Sequence, residues 1–205
     1  MGSELTVMFE YLSSDLTRKR RHYVRVDNFV NKYLKITFQL GTLAVVVYRL
    51  GAWCEGNRGG FLIKPLYWVL NQLCIGLTGI CINPRTPIGK GFVIHNFSTL
   101  FVQAVSIGEN FTVNQCVTVG SDWRHNGTPR IGNNVFLGSG AKVLGNITLG
   151  DNVVVAANAL VERSVPDNCT VVGVPARIIS RDAGSNYLRF DSGTPPPGPT
   201  STIRV

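Results

Sequence analysis

An aliphatic residue returns at a spacing of six through the second half of this chain. Ile82, Ile88 and Ile94 open the series, Ile107, Val113 and Val119 continue it, and Ile131, Leu137, Val143, Leu149, Val155 and Val161 complete it. Two steps depart from six. Ile94 to Ile107 is read as two sixes plus one extra residue. Val119 to Ile131 is read as two sixes crossing a polar loop, Ser121-Asp-Trp-Arg-His-Asn-Gly-Thr-Pro-Arg130. The residue after the ladder position is Gly at 89, 108, 120, 132, 138 and 150, and Ala at 156. A six-residue rung is one short strand plus a corner, and three rungs close a triangular turn. The ladder side chain then points inward and stacks on its equivalent one turn away, while the small residue lets the backbone bend. No rung buries its face alone, so stacking supplies the core. Corners such as Asn133-Asn134 and Asp151-Asn152 suit such turns. The pattern predicts a mainly-β chain built on a parallel β-helix solenoid over residues 81–180. An antiparallel sandwich would alternate with period two and turn every 8–12 residues.

The flanks differ. Residues 1–80 form a basic lead-in followed by apolar helices. The run Arg18-Lys-Arg-Arg21 is expected to be a solvated helix face or flexible lead-in, with attraction to an anionic membrane surface as the alternative. No apolar core or cleavage site of a secretory signal follows Met1. The apolar stretches from Phe38 to Cys54 and from Phe61 to Gly76 read as helices, interrupted by Arg49, Lys64, Pro65 and Asn71 before either reaches a membrane span. They read as a packed helical subdomain. The sharper alternative is peripheral membrane contact through residues 29–80, with Tyr48, Trp53, Tyr67 and Trp68 at headgroup depth. Residues 181–205, ending in a Pro- and Gly-rich run, are expected to be a disordered, flexible tail.

Composition narrows the class. Apolar residues at 44% and charged residues at 16% permit a buried core. A formal charge of +8 favours anionic partners. No basic stripe is interleaved with aromatics, so nucleic acid is not expected. The five cysteines have no CxxC spacing and read as reduced and mostly buried, which fits a cytoplasmic protein, with association at the cytoplasmic membrane face left open.

The hexads, the closing Val171-Val-Gly-Val-Pro-Ala-Arg-Ile-Ile179, and the runs Ile88-Gly-Lys-Gly-Phe-Val-Ile-His95 and Val113-Asn-Gln-Cys-Val-Thr-Val-Gly120 resemble the left-handed β-helix hexapeptide acyltransferases. The resemblance spans roughly residues 45–180. It is to the serine acetyltransferases, and closer still to the serine-acetyltransferase-like O-acetyltransferases of exopolysaccharide and glycolipid biosynthesis, where Tyr48-Arg-Leu-Gly-Ala-Trp53 also recurs. Left-handed winding is implied by the family; the period alone does not give it. The resemblance further implies a homotrimer and an acetyl-CoA-dependent transfer of an acetyl group to a hydroxyl, with no metal required.

Such chemistry needs a base for the hydroxyl proton and a donor for the tetrahedral oxyanion. Of the three histidines, His22 lies in the basic lead-in, and His95 matches the family's catalytic histidine. His125, in the polar loop, is the candidate for acceptor contact, although the following Asn126-Gly-Thr-Pro-Arg130 departs from the family motif. Carried over by position, Ser139 and Ala157 match sites whose backbone contacts CoA, and Arg163 and Arg177 match residues that bind its phosphates. Arginine suits bidentate phosphate contacts. Cys81 stands where serine acetyltransferases carry the aspartate that orients the base, and Ile94 precedes His95 where a serine-recognising aspartate is usual. Glu109 and Asp122 are the carboxylates close along the chain that could orient His95. Cys116 or Cys81 beside His95 could form an acyl-enzyme, a role that buried inert cysteines rarely take. The departures favour a sugar, polysaccharide or glycolipid hydroxyl as acceptor, with serine or a small amino-acid-like hydroxyl as the alternative. A non-enzymatic solenoid binding module is the third reading.

Overall fold

The computed structural model describes residues 2–22, 39–95, 98–122 and 127–182. From Ile80 onward the chain winds through three sheets. The first holds β1 (Ile80–Ile82), β3 (Leu100–Val102), β6 (Thr118–Gly120), β9 (Lys142–Leu144) and β12 (Leu160–Val161). The second holds β4 (Ser106–Ile107), β7 (Arg130–Ile131) and β10 (Thr148–Leu149), extended by bridges from Ile88 and Val165. The third holds β2 (Val93–Ile94), β5 (Thr112–Val113), β8 (Phe136–Leu137), β11 (Val154–Val155), β13 (Thr170–Val172) and β14 (Arg177–Ser180). Every pairing is parallel except β13 with β14, which runs antiparallel and closes one end.

The register turns the ladder into columns. Ile94, Val113, Leu137, Val155 and Val171 stack on the third sheet, and Ile82, Val102, Val119, Val143 and Val161 on the first. Every ladder residue from Ile82 to Val161 is buried. Each contributes about 1.5–3 kcal/mol of apolar burial. A second inward column, Phe92, Phe111, Val135, Val153 and Cys169, fills the space beside the first, with the Phe92 and Phe111 rings stacked at 5.6 Å. The corners opening the third sheet are held by Asn110, Asn134, Asn152 and Asn168, whose φ values of +57, +55, +57 and +59 are left-handed. Their amides form a hydrogen-bonded ladder at 3.0, 3.0 and 2.9 Å. Asparagine tolerates that backbone better than other non-glycine residues.

Both expected irregularities resolve differently from two sixes. The inward residue after Ile94 is Val102, paired with Ile82 and Val119, so one step runs long and the next, to Ile107, runs short. Among the described residues no strand separates β6 of the first sheet from β7 of the second, so the step from Val119 to Ile131 turns one corner rather than two.

Three helices precede the solenoid among the described residues: α1 (Gly2–His22), α2 (Leu40–Gly56) and α3 (Lys64–Thr78), with a 3-10 turn at Arg58–Leu62. Helix α2 covers the first coil. Ala44, Val45 and Tyr48 join the solenoid core. The Tyr48 hydroxyl donates to Thr86 O at 2.7 Å and accepts from Ile88 N at 3.1 Å. Arg49 donates to Ile88 O and Gly89 O at 2.6 and 2.7 Å, while gripping Asp15 of α1 with two further bonds. These bonds satisfy strand carbonyls at the open end of the stack.

Helix α1 corrects the expectation of a solvated basic face. Lys19 is buried and donates to Thr42 Oγ1 at 2.7 Å; Arg18 reaches Gly91 O at 2.6 Å and Thr112 Oγ1 at 2.9 Å. Arg21 alone of the run is exposed. All five cysteines are free; Cys54 and Cys169 are buried, Cys74 and Cys81 half-buried, and Cys116 exposed. The expected tail beyond residue 182, and residues 29–38 of the proposed membrane-contact segment, lie outside the described residues.

Candidate active site

The corner joining the third sheet to the first carries His95. It follows β2 directly, is half-buried, and its backbone N–H donates to Val113 O at 3.1 Å. The same bond repeats up the stack: Asn114 N to Leu137 O, Gly138 N to Val155 O and Ala156 N to Val171 O, at 3.1, 2.8 and 2.9 Å. His95, Asn114, Gly138 and Ala156 thus form one column along a solenoid edge. The adjoining corner column is tied by Cys116 N to Ser98 O, Gly140 N to Gln115 O and Asn158 N to Ser139 O, at 3.2, 2.9 and 2.8 Å. Ser139 and Ala157, expected from the resemblance as CoA contacts, therefore lie on the edge that His95 occupies.

This edge is narrow. A Cβ on Gly138 would stand 2.6 Å from Ala157 N, so neighbouring backbones touch without an intervening side chain. The backbone near His95 is also irregular. Ser98 and Thr99 have φ of +143 and +31, conformations that L-residues rarely adopt, and Cys116 has +60 where the next two coils place Gly140 and Asn158. Strain of this kind concentrates at functional sites. Ser98 and Thr99 fall within the oversized step from Ile94 to Val102, whereas Cys116 occupies the regular corner position that Gly140 and Asn158 share.

Arg163 follows β12 and Arg177 begins β14. The structure brings them together around a cavity of about 300 Å³ at the C-terminal end of the stack, with Pro175 and Ala176 in its wall. A larger cavity, about 560 Å³, lies elsewhere, between α1, α2 and the second sheet, against Tyr11, Arg49 and Ile107. The narrow edge, where the sequence places the base, takes precedence over that larger hollow, because an acyl-transfer site requires a base and small-residue backbone together.

Other expected participants are placed less favourably. Glu109 stands at the corner between the second and third sheets, 3.8 Å from Lys90 and one face away from His95's edge, so it is removed as the base's orienting group. Asp122 begins the polar loop after β6. Cys81 points outward from β1 beside Phe101, close enough to Tyr67 of α3 that its thiol, after burial and Cys54, adds to the upward shift of that phenol. Cys116 lies in the corner column beside that of His95. His125 lies outside the described residues. Sequence reasoning missed Asn114 and Gln115, which the register sets beside His95 and Ser139; counting each coil's corner from its ladder residue would have found both.

Residues 128–163 match the bacterial transferase hexapeptide (six repeats) family. A serine acetyltransferase of Synechococcus elongatus is 34% identical over 168 residues, spanning 80% of this chain and 67% of that protein. A serine acetyltransferase of Staphylococcus aureus is 41% identical over 125 residues, 60% of this chain and 59% of the relative. Among solved structures, the serine acetyltransferase of Brucella abortus superposes with a TM-score of 0.70 at 28% identity, covering 87% of this chain and 74% of that one. That of Neisseria gonorrhoeae in complex with serine gives 0.70 at 26%, covering 84% and 69%. The fold is the left-handed parallel β-helix that the resemblance implied. These relatives are serine acetyltransferases, so the finer resemblance to exopolysaccharide and glycolipid enzymes is not what the comparisons return.

Proposed function

Because the chain belongs to the serine acetyltransferase family of hexapeptide transferases, acyl-CoA-dependent acetyltransferases, we propose that it moves an acetyl group from acetyl-CoA to the hydroxyl of L-serine or a closely similar small acceptor. The observation that carries the reading is the shared edge: His95, Ser139 and Ala157 on adjoining corner columns, beside backbone held in left-handed conformations. His95 is the base. It takes the proton as the acceptor oxygen attacks the thioester carbonyl, a role that imidazole suits near neutral pH. The new C–O bond forms, the C–S bond breaks, and the departing thiolate recovers a proton. The thioester arrives activated, so no acyl-enzyme is needed. The small residues of the edge allow the pantetheine arm to lie against backbone, and Arg163 and Arg177 hold phosphate at the end of the stack. The working unit is a trimer with the edge set between neighbouring solenoids, as the family implies, and acetyl-CoA is the cosubstrate.

A sugar or glycolipid hydroxyl is the second reading. It is favoured by Cys81 and Ile94, which stand where the family's orienting and serine-recognising carboxylates are usual.

The test is release of free CoA thiol by the full chain, with L-serine against a panel of sugar acceptors. His95→Ala should lower kcat by about 10²–10⁴-fold with an unchanged melting temperature. Undiminished turnover in that variant overturns His95 as the base. Turnover with sugars and none with L-serine selects the second reading.

A further inference from the structure

Helix α3 is inside out. Its inward positions, 67, 71, 74 and 78, carry Tyr67, Asn71, Cys74 and Thr78, three of them with hydroxyl or amide groups. Its outward positions carry Leu66, Trp68, Leu73 and Leu77, with 58%, 62%, 57% and 74% of their surfaces exposed, and after Lys64 at its start Gln72 is the polar side chain among them. Phe61 and Leu62 of the preceding turn continue the face at 73% and 79%. A helix on a water-facing surface has the opposite arrangement. An apolar face of this kind marks a surface that something covers.

Charge identifies the cover. From Gly56 to Gly108 the sequence contains no Asp or Glu, whereas Arg58, Lys64, Arg85 and Lys90 all fall within it. Lys64 and Arg85 share the single carboxylate of Glu55, at 3.1 and 3.2 Å, which leaves the rim of the face net positive. A second copy packed face to face on α3 would set Lys64 and Arg85 against their own equivalents at that rim. An anionic surface would not. No helix among the described residues is long and apolar enough to cross a membrane, and α3 at 15 residues is suited to lying in an interface.

We infer that the outer face of α3 and the turn before it form a docking surface for an anionic lipid bilayer, with Trp68 and the leucines in the headgroup–acyl boundary and Lys64 and Arg85 on the phosphates. The surface sits next to the candidate site. Gly79, the left-handed C-cap of α3, lies against Thr99, at the corner that carries His95, and Gly79 O accepts from Leu100 N at 3.0 Å. The inference does not depend on which hydroxyl is acetylated.

Flotation of the full chain with vesicles tests it. Vesicles of phosphatidylcholine containing phosphatidylglycerol should carry the protein upward, and pure phosphatidylcholine should carry at least tenfold less. Salt at 0.5 M should release most of it, because these contacts are screened. The double variant Leu66→Gln with Leu73→Gln should lose at least tenfold of the binding while keeping its melting temperature, since both side chains are already solvent-exposed. Trp68 emission should shift to the blue on anionic vesicles, a change absent from Trp68→Phe. Absence of flotation with either vesicle overturns the inference, and so does equal binding to both. A wild-type oligomer that light scattering shows falling to single chains in the double variant also overturns it, because a second copy would then cover the face. Each outcome is independent of CoA release, which is measured without vesicles.

Discussion

Lys19 offers a direct measurement of what a buried charge costs this fold. The residue is 3% exposed and its ammonium donates to Thr42 Oγ1. Burial lowers its pKa from 10.5 to about 8. At about 1.4 kcal/mol per pH unit, that difference corresponds to about 3 kcal/mol. The sign follows from linkage. Between pH 8 and 10.5 the unfolded chain holds the lysine proton and the folded chain does not, so this group's contribution raises stability with pH across that window. Lys19→Met keeps the stem and removes the charge, and loses one hydrogen bond worth about 1 kcal/mol. At pH 7 the variant should therefore be more stable than wild type by about 2 kcal/mol, from the charge cost less the lost bond. Above pH 10.5 it should be less stable by about 1 kcal/mol, with the two curves crossing in between. Urea unfolding of both proteins at pH 7, 8, 9 and 10 reads the difference directly. Subtraction removes Tyr48, whose hydroxyl burial holds up at about 12, and the Cys54 and Cys74 thiols that burial also pushes up. A difference between wild type and variant that stays flat across that range would refute the reasoning and mean that Lys19 is solvated.

Three further outcomes follow from the same contacts. Arg49→Met strands the Asp15 carboxylate, already pushed up by burial more strongly than Arg49 pulls it down, and leaves two strand carbonyls without their donor; chemical denaturation should show a loss of about 3–5 kcal/mol. Arg177→Ala should raise KM for acetyl-CoA about tenfold with little change in kcat, consistent with loss of one charge-assisted phosphate contact, as initial-rate kinetics would show. Asn134→Val forces a β-branched residue to φ +55 and breaks the ladder from Asn110 to Asn152, so thermal unfolding should show a lower melting temperature, with stability reduced by about 1–3 kcal/mol.

The solenoid was legible because its period is a geometric property of the chain: every sixth side chain must enter the same core, and nothing else yields that spacing with a small residue beside it. The helical flank was not, for a reason residue type conceals. Lys19 reads as part of a solvated basic face and is buried against the Thr42 hydroxyl, and the charged Asp15 and Arg49 are buried as a pair that also binds carbonyls. The leucines of α3 read as core and are exposed. In both cases composition alone assigns the wrong side of the chain, because it cannot tell which face of a helix meets the solenoid.

Departures from the period locate the site more sharply than the period does. A regular coil presents the same smooth edge at each level, with strand backbone paired above and below and no recess to hold a reacting group. Four steps depart from six, and three of them bear on the site. Ile94 to Val102 is long, Val119 to Ile131 carries a loop, and Val161 to the bridged Val165 is short. The first bears His95, the second contains His125, and the third holds Arg163. The first and third place a polar side chain where a regular rung would have turned a corner. Residues inserted into a solenoid fall on its outside, because the inward columns admit none, and a surplus that leaves the core register intact is free to carry chemistry. The Val102 column shows the condition being met: its side chain is fully buried between Ile82 and Val119 although the step before it is long, so the core tolerates the widened corner at His95 without a break in stacking.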